Sequence, residues 1–213
     1  MRILLLSAVF LATGIASAAT PVDGWYTSVF GGYTYIPGNI DVYDGYHILR
    51  NDSRYRNGYN AGGRIGYKSN PLRYEAEYTY LHGSLKDFRI HHINQNNVSG
   101  YTSGNFLMAN VYYDFPEMLP EISPYLGFGI GYAYLQASLS STGPLTSSFY
   151  SVNDSAFAYQ GTAGLTYNFA ENYAVNLAYR YAATDKPSGF GTSFQAHIAN
   201  FGAIYRFDQG NYK

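Results

Sequence analysis

Trp25-Tyr26-Thr27-Ser28-Val29-Phe30-Gly31-Gly32-Tyr33-Thr34-Tyr35 and Tyr173-Ala174-Val175-Asn176-Leu177-Ala178-Tyr179-Arg180-Tyr181 alternate strictly with a period of two. One register carries Trp, Tyr, Val and Leu; the other carries mostly small or polar residues, with an occasional charge such as Arg180. A period of two marks a β-strand, whose successive side chains point to opposite faces. A soluble, half-buried strand turns its apolar register to a core and its polar register to water. Here the pattern recurs about eight times, and the polar register still contains buriable Gly, Ala and Asn beside charges. That combination suits a barrel with lipid outside and a small polar interior.

The first residues supply an address. Met1-Arg2 is followed by an apolar run from Ile3 to Ile15 and then Ala16-Ser17-Ala18. A basic start, a short hydrophobic stretch and an Ala-x-Ala ending predict a secretory signal peptide over residues 1–18, cleaved after Ala18. The run is too short to span a bilayer as a helix. Residues 19–213 then form one domain of ordinary size, the barrel. Cysteine is absent, so no disulfide, thiolate nucleophile or Cys-ligated metal is available. Thirteen basic against fourteen acidic residues give no reason to expect a nucleic-acid partner. Mean hydropathy is below zero, but a membrane barrel evades that test because only every second strand residue meets lipid.

Alternation and turn chemistry predict eight strands, over residues 24–36, 59–68, 72–81, 104–115, 124–138, 155–169, 173–184 and 194–207. The connections 69–71, 116–123 and 170–172 are short; 37–58, 82–103, 139–154 and 185–193 are longer and rich in Gly, Asn and Ser. Long and short connections strictly alternate. An outer-membrane up-and-down barrel has short periplasmic turns and longer extracellular loops, so the fold expected is all-β, an eight-stranded antiparallel transmembrane barrel with four surface loops.

The charges give an independent check. Arg64, Lys68, Arg73, Glu75, Glu77, Asp114, Arg180 and Arg206 all fall on the register opposite the large apolar residues. Lipid-facing Lys or Arg would cost ~2–4 kcal/mol at mid-bilayer, which is the physical cause of such segregation. Arg64, Arg73, Glu75, Glu77 and Arg180 therefore read as an interior ion-pair network. If Arg64 and both glutamates face inward across the 69–71 turn, the paired row sets Arg64 opposite either Glu75 or Glu77.

With these residues in place, the whole mature chain resembles the OmpA-like family of eight-stranded outer-membrane barrels, including opacity-type surface proteins. The most specific pieces are Gly24-Trp25-Tyr26, Pro124-Tyr125-Leu126-Gly127-Phe128-Gly129-Ile130-Gly131-Tyr132 and Asn200-Phe201-Gly202-Ala203-Ile204-Tyr205-Arg206-Phe207. The last resembles the β-signal read by the barrel-assembly machinery, with Asn200, Gly202, Tyr205 and Phe207 at its key positions. In that family the final aromatic usually ends the chain, whereas residues 208–213 follow here. The resemblance implies a Gram-negative outer-membrane location, lipid and lipopolysaccharide as surroundings, and a structural or adhesive role at the cell surface. Fold alone does not fix function.

Three functional readings stay open: a surface-interaction barrel, a low-conductance pore, and a lipid A-modifying enzyme. The carboxylates lack an accompanying nucleophile or cleft, so no catalytic residue is assigned. His82-Gly83-Ser84 matches the His-x-Ser of lipid A deacylases only as a three-residue hit. His91-His92 lacks a third suitably spaced ligand, so neither metal nor cofactor is expected. His197 reads as an interfacial polar residue near the rim. For recognition of a host or surface protein, the candidate loop contacts are Tyr43, Tyr46, Arg50, Arg54, Arg56, Lys86 and Arg89, because exposed Tyr and Arg favour binding. Basic residues there would alternatively neutralise lipopolysaccharide phosphates. Gly127, Gly129 and Gly131 clear space on the inward register, expected to admit Phe30 or Arg180 from across the lumen. A lipocalin-like barrel would place its apolar face inside and charge outside, the reverse of this pattern. A periplasmic β-sandwich does not lead to unequal alternating loops or the terminal aromatic motif.

Overall fold

A computed structural model describes residues 23–37, 42–44, 47–49, 52–55, 58–90, 93–94, 99–116, 121–142, 147–187 and 193–207. The expected leader, residues 1–18, lies outside them. Eight strands build the barrel: β1 (Gly24–Tyr35), β2 (Gly58–Ser69), β3 (Leu72–Ile90), β4 (Ser99–Asp114), β5 (Ile122–Thr142), β6 (Ser147–Asn168), β7 (Tyr173–Thr184) and β8 (Gln195–Arg206). Each pairs antiparallel with its neighbour in sequence, and β1 pairs with β8, so the sheet closes on itself. Four short strands lie outside this ring. Val42–Asp44 pairs with His47–Leu49, while Asp52–Tyr55 and Ile93–Asn94 both pair with β3.

The registers fix the barrel's shape. A paired row leaves β3 at His82 and passes through Tyr59, Tyr33, Ala199, Tyr179, Ala163, Leu126 and Tyr113. It returns to β3 at Leu72, ten residues away. A stagger of that size over eight strands tilts them by about 40° from the barrel axis. Side chains can fill such a narrow interior.

Alternation is expressed as burial. In β8 every second residue from Ala196 to Arg206 is buried and the intervening ones face outward. Outward-facing aromatics form two belts eight residues apart: Trp25 and Tyr33 on β1, Tyr67 and Tyr59 on β2, Tyr167 and Tyr159 on β6. At the strand tilt, eight residues rise ~20 Å, close to the apolar band of an outer-membrane barrel. Between the belts lie Val29, Ile65, Leu165, Leu177 and Phe201.

Two expectations change. The loops predicted over 82–103 and 139–154 are largely strand: β3 runs to Ile90, β4 starts at Ser99, and β5 and β6 remain paired out to Thr142 and Ser147. Beyond the outer belt no face meets lipid, so these segments carry no apolar alternation while the backbone ladder continues. The interior also differs. Towards the extracellular end it is apolar: Ile36, Leu81, Phe106, Leu135, Phe194 and Ile198 form one buried cluster, together with Met108 and several alanines. Ile36 and Phe194, expected at strand ends, sit just beyond β1 and just before β8 and turn into this cluster.

Candidate functional site

The tight turn at Asn70 and Pro71 joins β2 to β3 in the register that sets Arg64 opposite Glu77. This selects one of the two rows that strand parity allows. Inward residues of both strands then meet Arg180 from β7 and Asp114 from β4. Arg180 Nη1 lies 2.5 Å from Glu77 Oε1, and Arg64 lies 3.6 Å from both Glu77 and Glu75. Arg73 is 3.4 Å from Glu75 and 3.3 Å from Asp114, which is 3.4 Å from Lys68 Nζ. The groups therefore form one alternating chain, Arg180–Glu77–Arg64–Glu75–Arg73–Asp114–Lys68, in which each carboxylate bridges two cations. The side chains of Glu75 and Glu77 are fully shielded from solvent.

Neutral neighbours complete the layer. Tyr26 donates to Glu75, Thr79 donates to Glu77 at 2.9 Å, and Gln160 donates to Asn110 at 2.7 Å. The Phe30 ring lies between two guanidinium groups, 4.3 Å from that of Arg64 and 5.1 Å from that of Arg180. Tyr112 and Tyr125 flank Arg73 at 4.7 and 4.5 Å. Cations over aromatic faces are attracted by the ring quadrupole, more strongly where water is excluded. All five residues named for the network from sequence thus lie in one cluster. The ladder adds Asp114 and Lys68, which the sequence marks only as inward charges, and the rings of Tyr26, Tyr112 and Tyr125, which sequence reasoning misses; Phe30 is expected in the lumen from sequence, though not over Gly62.

The signal for those aromatics is present as inward glycines. Directly opposite in the ladder stand Tyr26 and Gly66, Phe30 and Gly62, Tyr112 and Gly127, and Tyr125 and Gly164. Each ring lies over its glycine, where a Cβ would fall within about 2.0–2.5 Å of a ring atom. This corrects the expectation for β5: the space above Gly127 holds Tyr112 of the adjacent strand, the space at Gly129 holds Asn110, and Phe30 lies over Gly62. Neighbouring side chains reach these sites first because they are only one strand spacing away. Gly127→Val is expected to lower unfolding stability by ~1–3 kcal/mol through overpacking. Gly161, where an added Cβ would meet no atom within 4 Å, is the matched site, and Gly161→Val leaves the urea midpoint in lipid vesicles unchanged. Equal midpoints for the two variants would refute the ring-on-glycine account.

The other expected residues fall elsewhere. Asn200 and Gly202 face inward and Tyr205 and Phe207 outward; the amide of Phe207 donates to Trp25 O, stitching the end of β8 to β1. Tyr46, Arg50 and Arg56 lie outside the described residues, as do His91 and His92. Tyr43, Arg54, Lys86 and Arg89 lie on strands rather than in loops, with Arg54 opposite Asp87 and Arg89 opposite Asp52 in the ladder. The His82 ring stacks on Tyr101 at 5.6 Å and packs against Tyr59 at 5.3 Å. His197 Nδ1 shares a 2.6 Å hydrogen bond with Tyr179 Oη. Both histidines belong to the outer aromatic belt.

Known proteins share this architecture. A family model described as an outer membrane protein β-barrel domain matches residues 3–207. An outer membrane protein of Gluconacetobacter diazotrophicus is 28% identical over 202 residues, covering 84% of this chain and 50% of that protein. An uncharacterized protein of Brucella abortus is 33% identical over 90 residues, covering 39% of this chain and 31% of that protein. The chain therefore spans half or less of the length of these relatives. Among solved structures, OprG from Pseudomonas aeruginosa superposes with a TM-score of 0.56 at 13% identity, covering 89% of this chain and 100% of its own. Neisserial surface protein A gives a TM-score of 0.53 at 17% identity, covering 87% and 98%. These two likenesses are of fold.

Proposed function

The chain belongs to the family of outer membrane protein β-barrel domains, and on that premise we propose that it is a closed scaffold displaying surface segments for contact with a host or surface protein. Its place is the Gram-negative outer membrane, with the connections between β1 and β2, β3 and β4, β5 and β6, and β7 and β8 at the cell surface. Residues 1–18 act as the cleaved export signal in this reading, and Asn200, Gly202, Tyr205 and Phe207 as the segment read during barrel assembly.

One observation carries the proposal. β3, β4, β5 and β6 run well past the outer aromatic belt, β5 as far as Thr142 and β6 from Ser147. Crossing the membrane does not need those residues. A paired ladder outside the bilayer presents side chains on a stiff support, which lowers the ordering cost of binding. The lumen supports the same reading over conduction, because the ion-pair chain fills its middle and the apolar cluster of Leu81, Phe106, Leu135 and Phe194 fills its outer end. It also supports the reading over lipid modification. The side chain of His82 is stacked among tyrosines in the belt, and the buried carboxylates are occupied by arginines.

Trimming residues 138–151 to a tight turn tests it. The expected result is a barrel that still shifts mobility on heating, while cells carrying it lose adherence to surfaces coated with extracellular-matrix or serum proteins. Undiminished adherence, or reproducible single-channel steps from the purified native barrel in planar bilayers, would overturn it.

A further inference from the structure

At the periplasmic end, the last inward residues of six strands converge on a small cavity lined by Lys68, Arg73, Asp114, Thr166, Asn168 and Arg206, among others. Its volume of about 20 Å³ is enough for one small group and not for a chain. Its roof is the Arg73 guanidinium, wedged between Tyr112 and Tyr125, so the cavity is blind towards the exterior.

Among the described residues the charges around it do not balance: Lys68, Arg73 and Arg206 bring three cations, and Asp114 is the one carboxylate among those that line the cavity. Asp114 holds Lys68 and Arg73 at 3.4 and 3.3 Å, longer than the 2.7–2.9 Å of a closed charge-assisted hydrogen bond. Arg73 is otherwise paired with Glu75, which Arg64 and Tyr26 also engage. Although Arg73 is only 4% exposed, its Nε has no hydrogen-bond partner, and its Nη2 has the 3.3 Å ion pair with Asp114 but no hydrogen bond. Among the described residues the acceptors of Arg206 are neutral: Asn168 Oδ1 at 2.5 Å and Glu171 O at 3.3 Å. Buried charge without a counter-charge is strongly unfavourable, and confinement by low-dielectric walls strengthens the attraction for an opposite charge. Thr166 and Ser123 place hydroxyls on the same wall.

We propose that this periplasmic mouth is a binding site for a small oxyanion, the phosphate or carboxylate end of a periplasmic solute. Lys68, Arg73 and Arg206 supply the charge, and the hydroxyl of Thr166 supplies a neutral donor. The oxyanion extends the alternating chain that begins at Arg180, joining Lys68 at its periplasmic end to Arg206, whose acceptors among the described residues are neutral.

The test follows unfolding of the purified full chain in a maltoside detergent, which contains no phosphate, using the fluorescence of Trp25, its single tryptophan. Inorganic phosphate and acetate are titrated separately at ionic strength held constant with sodium chloride. The expected result is a midpoint that rises by a few degrees and saturates with at least one of the two, as binding to the folded state alone requires. Arg206→Gln and Lys68→Gln should each abolish the saturable rise; the second keeps Asp114 paired with Arg73 and so guards against a folding defect in the first. A non-saturating response to both anions, or an equal rise in both variants, overturns the proposal. So does a rise seen only in Asp208→Asn, a change to the residue that follows Phe207 in sequence and lies outside the described residues, which would assign the site to the chain's own carboxylate.

Discussion

Glu77→Ala is expected to cost ~3–5 kcal/mol of unfolding stability, the range for removing one partner of a buried ion pair. Glu77 is the only carboxylate that Arg180 contacts among the described residues, and it also meets Arg64. Its loss strands Arg180, which is 1% exposed, while Arg64 keeps Glu75. Glu75→Ala is expected to be milder, because Arg64 retains Glu77 and Arg73 retains Asp114. Arg54→Ala, beyond the outer belt, should stay within about 0.5 kcal/mol. The order Glu77→Ala, Glu75→Ala, Arg54→Ala would show in the temperature at which the folded band disappears from unboiled gels. The double variant Glu77→Leu with Arg180→Met removes both charges, so it should recover much of the loss. Equal heat resistance of Glu77→Ala and Arg54→Ala would eliminate the ion-pair chain as a source of stability.

The residues that can be read in advance are those constrained by lipid. Trp25, Val29 and Leu177 have to be apolar and Arg64, Glu77 and Arg180 have to face away, so strand number, facing and the membership of the inner cluster are legible from alternation. Parity leaves Arg64 opposite either Glu75 or Glu77; only the geometry of the turn at Asn70 and Pro71 decides between them. Where the lipid constraint ends, legibility ends with it. Leu81, Phe106 and Leu135 are inward but apolar, and their outward neighbours mix Tyr80, Leu107 and Tyr134 with His82, Asn105 and Gln136, so the cluster at the outer end has no clean periodic signature. The outermost residues of β5 and β6, 138–142 and 147–151, are mostly serine and threonine and resemble a loop in composition while remaining hydrogen-bonded as strands. The pairing of Tyr112 with Gly127 depends on the register set across the connection 116–123, which alternation alone does not supply.

A division of labour follows from these limits. The membrane constrains the outward face between the two belts, and ion pairing with ring-on-glycine packing constrains the inward face at the same height. Neither constraint reaches the outer ladder of β3 to β6, so substitutions at its polar positions are expected to leave the barrel folded. Function placed there can change while the scaffold stays fixed, consistent with loops carrying recognition on a rigid support. The periplasmic mouth is the other exception, because among the described residues its cations exceed the carboxylate that lines it.

Leu177→Arg is expected to destabilise the barrel in lipid vesicles by ~2–4 kcal/mol, whereas Tyr173→Arg on the same strand should cost ~0–1 kcal/mol. Leu177 is 59% exposed and lies midway between Tyr173 and Tyr181, one aromatic of each belt. In the ladder it faces Leu165 on one side and Phe201 on the other, both outward and apolar. An arginine there has no water within reach of a short side-chain excursion, and the lumen is closed to it by the sheet itself. At position 173 the same side chain snorkels into the periplasmic headgroups at little cost. The difference between the two variants measures depth in the membrane and is insensitive to loss of a shared contact. In a water-soluble barrel both substitutions would be nearly neutral, since each residue would already face solvent. Urea titration of the vesicle-folded proteins distinguishes these cases: a gap of ~1 kcal/mol or more between Leu177→Arg and Tyr173→Arg fits the aromatic belts as the borders of the bilayer, and coincident midpoints would remove the belts from that role.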